Sequence, residues 1–286
     1  MALVSLKEVL QDAYSRHYAV GAFNVINLDF LEAIVTAAED RRSPVILNIA
    51  EIHFPFVKLE NIVPAIKAIS ETATVPIVLN LDHGLHFEAV VRAIKNGFTS
   101  VMFDGSQLSF IDNVKETKNV VKLCHAADIS VEAELGAVGG EEGGGLEGTV
   151  DPSLFTNPEL AAEFVHNTKI DALAVAIGNS HGKYKGEPKL DFKRLESIRD
   201  KTGIPLVLHG GSGISTEYFR KAIKLGISKI NFFTGISQAA LETISEGVKK
   251  TGLKYNDYPM LLNDVKASVT KVVSEQMDIF MSSGKV

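Results

Sequence analysis

The chain has 286 residues, 45% of them hydrophobic, enough to bury a full core and close to the usual length of one α/β barrel domain, which excludes disorder and fibre. Its 29 basic and 35 acidic residues leave a formal charge of −6 with no basic cluster, which argues against nucleic acid or an anionic membrane as partner and requires any anionic substrate to be held by a local site. Cys124 is the only cysteine, the opening "MALVSLKEVLQDAYSRHY" lacks a basic stretch followed by an apolar one, and no segment approaches a membrane span; a soluble cytoplasmic protein is expected.

In chain order, short β-branched runs read as strands at 18–25, 44–50, 75–83, 100–105, 129–136, 172–178, 205–211 and 229–233. Their apolar residues are continuous rather than alternating, as in strands covered on both faces, and stretches between them such as "FLEAIVTAAEDR" carry apolar residues at helical spacing. Two units echo one another, "AIKNGFTSVMF" at 93–103 and "AIKLGISKINF" at 222–232; each has a glycine where a helix end needs a left-handed residue. Eight such units predict an α/β (β/α)8 TIM barrel spanning 1–286 as a single domain, with a C-terminal helical extension over about 236–286. An open doubly wound sheet shares the alternation, but no Gly-x-Gly-x-x-Gly follows the first strand.

Barrel chemistry sits at the carboxyl ends of the strands. There the chain places Asn24, Glu51, Asp82 and His83, Asp104, Glu134, His181, His209 and Asn231. Three of its eight histidines precede a glycine, in "DHG", "SHG" and "LHG", where strands 3, 6 and 7 end. One such histidine standing alone reads better as a hydrogen-bonded structural residue. Three converging on one mouth read as the ligand set of a catalytic zinc site. His125 and His166 fall on helices and His17 near the first strand, so all three are taken as structural or surface; His53 and His86 stay open between substrate and structure.

Seven glycines occupy the thirteen residues "GAVGGEEGGGLEG" at 136–148, in the longest interval between strands. This stretch carries Glu141 and Glu142 and reads either as a solvated linker or, from its place on the mouth side of the barrel, as a lid that delivers a carboxylate. "HGGSGISTEYF" after strand 7 and "NFFTG" after strand 8 lie where barrels build phosphate sites from backbone N–H groups and a helix N-terminus. Ser215 or Thr216 is expected to cap that helix.

The stretches "YAVGAFNVINLDFLEAI", "LDHG", "GFTSVMFDGS", "VEAELGAVGGEE", "DALAVAIGNSHGKYKGEPKL", "PLVLHGGSGI" and "KIN" run from the N-terminus to about residue 235. Together they resemble the class II, metal-dependent ketose-bisphosphate aldolases, the fructose- and tagatose-bisphosphate aldolase family. The resemblance implies a lyase that reversibly splits a ketose 1,6-bisphosphate or related ketose 1-phosphate into dihydroxyacetone phosphate and an aldehyde. It implies zinc or a related divalent ion such as cobalt on His83, His181 and His209, with Asp104 and Glu134 binding or approaching a second metal location. Gly182, Gly210, Gly211, Ser212, Asn231 and Thr234 would bind dihydroxyacetone phosphate, some of them helping a monovalent cation to do so, and Asn24 is a further substrate-binding candidate. The expected partner is a small sugar phosphate, and the expected assembly a homodimer or homotetramer.

The chemistry agrees with that assignment. Cleavage beside a ketone leaves a carbanion for the metal to stabilise. Asp82, next to a ligand, is placed to take the hydroxyl proton across the breaking bond, while Glu142 matches the family residue that moves the proton on the three-carbon fragment. A Schiff-base lysine has no well-placed candidate, since Lys229 is expected at the entering end of strand 8 and Lys183 and Lys185 in a loop. A barrel hydrolase would carry a His-x-His pair on strand 1, and a silent sugar-phosphate-binding protein would have lost Asp82 or a ligand; neither is the case. The distal half departs from the family: "EIHFPFV" follows strand 2, no arginine occurs after Arg220, and Phe233 stands where many members have aspartate. A lysine remains available to hold a distal phosphate as a point charge.

Overall fold

The computed structural model describes residues 3–140, 152–182, 184, 188–250 and 257–286. Eight strands, β1 (Val20–Asn24), β2 (Val45–Ala50), β3 (Ile77–Gly84), β4 (Ser100–Phe103), β5 (Ser130–Leu135), β6 (Ala172–Val175), β7 (Leu206–Leu208) and β8 (Ile227–Asn231), run parallel. They close in sequence order into a barrel, β8 pairing back onto β1 with Val20 opposite Lys229. Every strand residue is buried, which is why the runs are continuously apolar.

Side chains alternate between the two faces of this wall. One set packs outward under the helices α2 (Leu28–Arg41), α3 (Leu59–Thr72), α4 (Phe87–Asn96), α5 (Phe110–His125), α6 (Pro158–Thr168), α7 (Phe192–Thr202) and α8 (Thr216–Lys224). The other set fills the barrel. Its lower layer is apolar, with Val20, Ala22, Ile46, Val78, Met102, Ala174 and Val207 packed against Leu6, Val9 and Leu10 of α1 (Leu6–Arg16), which plugs the N-terminal end. Higher up the same inward positions turn polar and stay buried: Asn24, Asn48, Asn80, Asp82, Glu132, Glu134, Lys229 and Asn231. The interior thus changes from hydrocarbon to hydrogen-bonding groups toward the mouth.

The repeated helix ends differ slightly. Gly97 caps α4 in the left-handed conformation at φ 83°, as expected, whereas α8 is capped by Leu225 and Gly226 takes φ 110° one residue later. After β8 come α9 (Thr234–Lys250) and α10 (Asp257–Ile279). It is α10 that packs on β1, α2 and α8 and so takes the eighth place in the outer ring, while α9 lies against α10. Phe280, just beyond it, is fully buried, with Phe219 edge-on at 5.0 Å.

The strands end earlier than the apolar runs at β6 and β7, and β8 begins two residues sooner than expected. Lys229 therefore stands in the middle of β8 rather than at its entering end.

Candidate active site

Adjacent residues of a strand normally face opposite ways, so β3 needs a local device to send both Asp82 and His83 into the mouth. The register with β4 shifts between Leu81 and Gly84, and His83 takes φ 40°. Side chains rarely adopt that region, and the cost is typically borne at functional sites. Gly84 allows the turn, because a Cβ there would meet the Met102 carbonyl at 2.8 Å.

His83, His181 and His209 each offer a ring nitrogen, all within 4.8 Å of one another. The rings stand edge to face with centroids 4.6–5.9 Å apart. His83 Nδ1 lies 2.8 Å from Asp104 Oδ2, and its Nε2 lies 2.9 Å from His209 Nδ1. Burial, then the neighbouring His83, lowers the pKa of His181 to about 4 and puts that of His209 well below the usual imidazole value. Neutral imidazoles are the form that binds a metal. Burial works against the Asp104 carboxylate, but the His83 and Ser106 hydrogen bonds with the His83 charge more than offset it and hold its pKa low.

A second cluster, His83, Asp104 and Glu134, shares the first histidine. Among the described residues Glu134 Oε2 is buried without a hydrogen-bond partner, and burial, then Asp104, raises its pKa well above normal. A carboxylate oxygen without a described partner beside three clustered imidazoles is a donor set that fits a divalent ion.

Asp82 is fully buried. Asn231 donates from Nδ2 to its Oδ1 at 2.8 Å, and Asn24 from Nδ2 to its Oδ2 at 3.4 Å. Beside it opens a cavity lined by Asn24, His181, Gly182, Gly210, Gly211, Ser212, Asn231, Phe233 and Thr234. All seven expected substrate-binding residues border this one space. Gly210 has φ 65° and lies so close to the Ser180 carbonyl that a Cβ has no room. Thr234 begins α9, whose N-terminal dipole favours an anion, and Ser212 Oγ accepts from Gly235 N in its first turn at 3.1 Å. Ser215 caps α8, as expected.

Several supporting residues escaped the sequence reading. The Tyr184 hydroxyl accepts from Ser180 N at 2.8 Å and donates to Gly210 O at 2.9 Å, tying the loops after β6 and β7. Asn179 Nδ2 holds the His209 carbonyl at 3.1 Å. Beneath His209, Glu132 and Lys229 form a fully buried ion pair at 2.6 Å. The available signal was alternation: Glu132 precedes Glu134, and Lys229 precedes Asn231, by the two residues that place them on one face of a strand.

Glu51 does not stand free at the mouth. Its Oε2 accepts from Leu85 N and His86 N at 2.7 and 3.2 Å, and its Oε1 lies 2.6 Å from His86 Nδ1, so it and His86 fasten the loop after β3. His53 does face the site. Its half-buried ring meets Phe233 edge-on at 5.1 Å, and its pKa is lowered by burial although the Asp82 charge acts to raise it. Phe56 is 82% exposed and has no part in the cavity. Gly139 O accepts from His181 N at 2.7 Å, which anchors the start of the glycine-rich stretch. Glu142, Lys183 and Lys185 lie outside the described residues.

The sequence profile of the family described as fructose-bisphosphate aldolase class-II matches residues 4–285. A fructose-bisphosphate aldolase of Geobacillus stearothermophilus is 45% identical over the whole of this chain and 99% of its own length. A probable fructose-bisphosphate aldolase of Bacillus subtilis is 42% identical over the whole of both chains. Among solved structures, the YdjI aldolase of Escherichia coli K12 superposes with a TM-score of 0.88 at 36% identity, covering 99% of each chain.

Proposed function

Since the chain belongs to the class II fructose-bisphosphate aldolase family and is a lyase of that type, we propose that Asp82 is the acid/base of its reversible aldol cleavage and that His83, His181 and His209 hold the divalent ion. The observation that carries the reading is one juxtaposition. The three-imidazole cluster, the amide-held Asp82 and the glycine-lined cavity meet at a single point of the mouth.

Bound there, zinc or a like ion such as cobalt supplies Lewis-acid stabilisation of the negative charge that develops on the three-carbon fragment. Asp104 orients His83, and Glu134 would offer the ion the oxygen that has no partner among the described residues. Gly182, Gly210, Gly211, Ser212 and Thr234 cradle the phosphate with backbone and hydroxyl donors, a monovalent cation assisting, and this fixes the ketone beside the imidazoles. Asp82 accepts the proton of the hydroxyl on the carbon beyond the breaking bond. That oxygen becomes the aldehyde carbonyl, and the bonding pair stays with the three-carbon fragment. Asn231 and Asn24 keep the carboxylate aimed throughout. Glu142 is assigned the return of a proton to the fragment's carbon. In condensation each transfer runs backward.

The relatives' names favour fructose 1,6-bisphosphate. The distal end of the site does not: a half-buried His53 near enough to feel the Asp82 charge packs on Phe233, and the sequence has no arginine after Arg220 to form a bidentate pair with a second phosphate. The substrate assigned here is a ketose 1-phosphate whose distal end is hydroxylated or otherwise not a phosphate ester. The assembly proposed is a homodimer or homotetramer, as the family resemblance implies. Among the described residues no helix is long and apolar enough to cross a membrane, and the single cysteine favours a cytoplasmic setting. Release of dihydroxyacetone phosphate, measured across a panel of ketose 1-phosphates and 1,6-bisphosphates, tests the activity. Absence of release from every member overturns it.

A further inference from the structure

The Glu132–Lys229 pair takes no part in the aldol chemistry, yet it is sealed in the barrel directly beneath one of the three imidazoles. Glu132 Oε1 lies 2.9 Å from His209 Nε2, and its Oε2 accepts from Lys229 Nζ at 2.6 Å. All three side chains are fully buried. On the opposite edge of the ring, Asn231 Nδ2 stands 3.2 Å from His209 Nδ1. The orientation of that amide is set by Asp82, since a reversed amide would turn its oxygen toward a carboxylate. The Nε2 edge therefore faces an acceptor, while the Nδ1 edge faces the Asn231 donor and, at 2.9 Å, the His83 Nε2 with which it would share the ion.

We infer that Glu132, anchored by Lys229, is a positioning residue that keeps the His209 proton on Nε2 and turns the Nδ1 lone pair to the ion. The inference rests on the assignment of the three histidines as the ion site. A carboxylate offers no donor of its own, so the Nε2 edge must supply the hydrogen. Lys229 occupies the second carboxylate oxygen and balances its charge, so that no uncompensated charge is left in the barrel. Asp104 faces His83 in the same way, but it also belongs to the second acidic cluster. Glu132 lies below the mouth and has orientation as its one task.

Two double variants differ only in the acceptor. Glu132→Gln with Lys229→Met removes both charges and retains an oxygen for Nε2–H. Glu132→Leu with Lys229→Met removes the charges and the oxygen at similar volume. Zinc affinity, measured by competition with a chromophoric chelator, should be about 10- to 100-fold weaker in the Leu variant than in the Gln variant, the usual effect of losing such a partner. The visible spectrum of the cobalt-loaded Leu variant should shift, while the two metal-free proteins melt together. Equal zinc affinities with unchanged cobalt spectra overturn the proposal. Should the Leu variant not fold, nitrogen-15 correlation spectra of the metal-free wild-type histidines decide it, with the His209 signal identified from His209→Asn. A proton on Nε2 and none on Nδ1 is expected, and a proton on Nδ1 overturns it. If the wild-type protein binds no zinc, the ion-site assignment fails, and the His209 tautomer still reports on Glu132.

Discussion

Asn231 on β8 donates to Asp82 on β3 across the barrel mouth, Nδ2 to Oδ1 at 2.8 Å, and the same amide nitrogen stands 3.2 Å from His209 Nδ1. One side chain thus spaces the proposed base from a proposed ligand and keeps their roles separate.

Asp82→Ala should therefore retain the metal and dihydroxyacetone phosphate while carbon–carbon cleavage slows by roughly 10²- to 10⁴-fold, the usual contribution of a positioned acid or base. Metal content by elemental analysis, set beside single-turnover rates, checks this. Loss of metal with the rate would make Asp82 a ligand or a support.

Chelation should abolish cleavage, zinc or cobalt should restore it, and His209→Ala should lose metal and activity together, because the three ring nitrogens lie within 4.8 Å of one another with no other described histidine in the cluster. Full activity in a rigorously metal-free preparation is the contrary outcome.

Glu142→Ala should slow exchange of the carbon-bound proton of dihydroxyacetone phosphate with solvent, followed by deuterium uptake, because that step needs a base at the three-carbon fragment. Unchanged exchange would leave Glu142 without a chemical role.

Tyr184→Phe should weaken binding of a dihydroxyacetone phosphate enediolate mimic and destabilise the protein by about 1–3 kcal/mol, the cost of leaving buried partners unpaired. The hydroxyl satisfies both Ser180 N and Gly210 O, and Gly210 borders the cavity. Calorimetric titration and denaturant unfolding measure the two effects. An unaltered affinity would remove Tyr184 from the support of the phosphate loop.

His53→Ala should change the preference among aldehydes without weakening inhibition by the enediolate mimic, since its ring meets Phe233 and feels the Asp82 charge but is not one of the three clustered imidazoles. For the wild-type protein, kcat/KM with fructose 1,6-bisphosphate should be no better than with some ketose 1-phosphate. Cleavage of the bisphosphate at about 10⁴ M⁻¹s⁻¹ or above, the low end of the usual enzyme range, with every monophosphate poorer, would sink this idea and give a lysine the arginine's place.

All eight strands and the intervening helices could be read from the chain, as could the three His-Gly pairs and the acid before the first. Those signals are local: strand periodicity, helix ends and residue types at strand termini are written within about ten residues of one another. The ends of β6, β7 and β8 were less legible, because apolar character continues past the last ladder hydrogen bond. The role of Glu51 was misleading in one dimension, since its partners Leu85 and His86 lie 34 and 35 residues away.

By itself the sequence determined the architecture, the family and the inventory of chemical groups at the mouth, because burial on both faces and the spacing of His-Gly pairs survive in a linear string. Only the tertiary structure decided which groups meet. Closing the barrel brings Glu132 to Lys229 over 97 residues and Asp82 to Asn231 over 149. A lysine in the middle of a strand reads as an intruder until the carboxylate across the barrel supplies its counter-charge. Chain separation carries no trace of such pairs: they exist because a buried charge must find its complement wherever the fold places one.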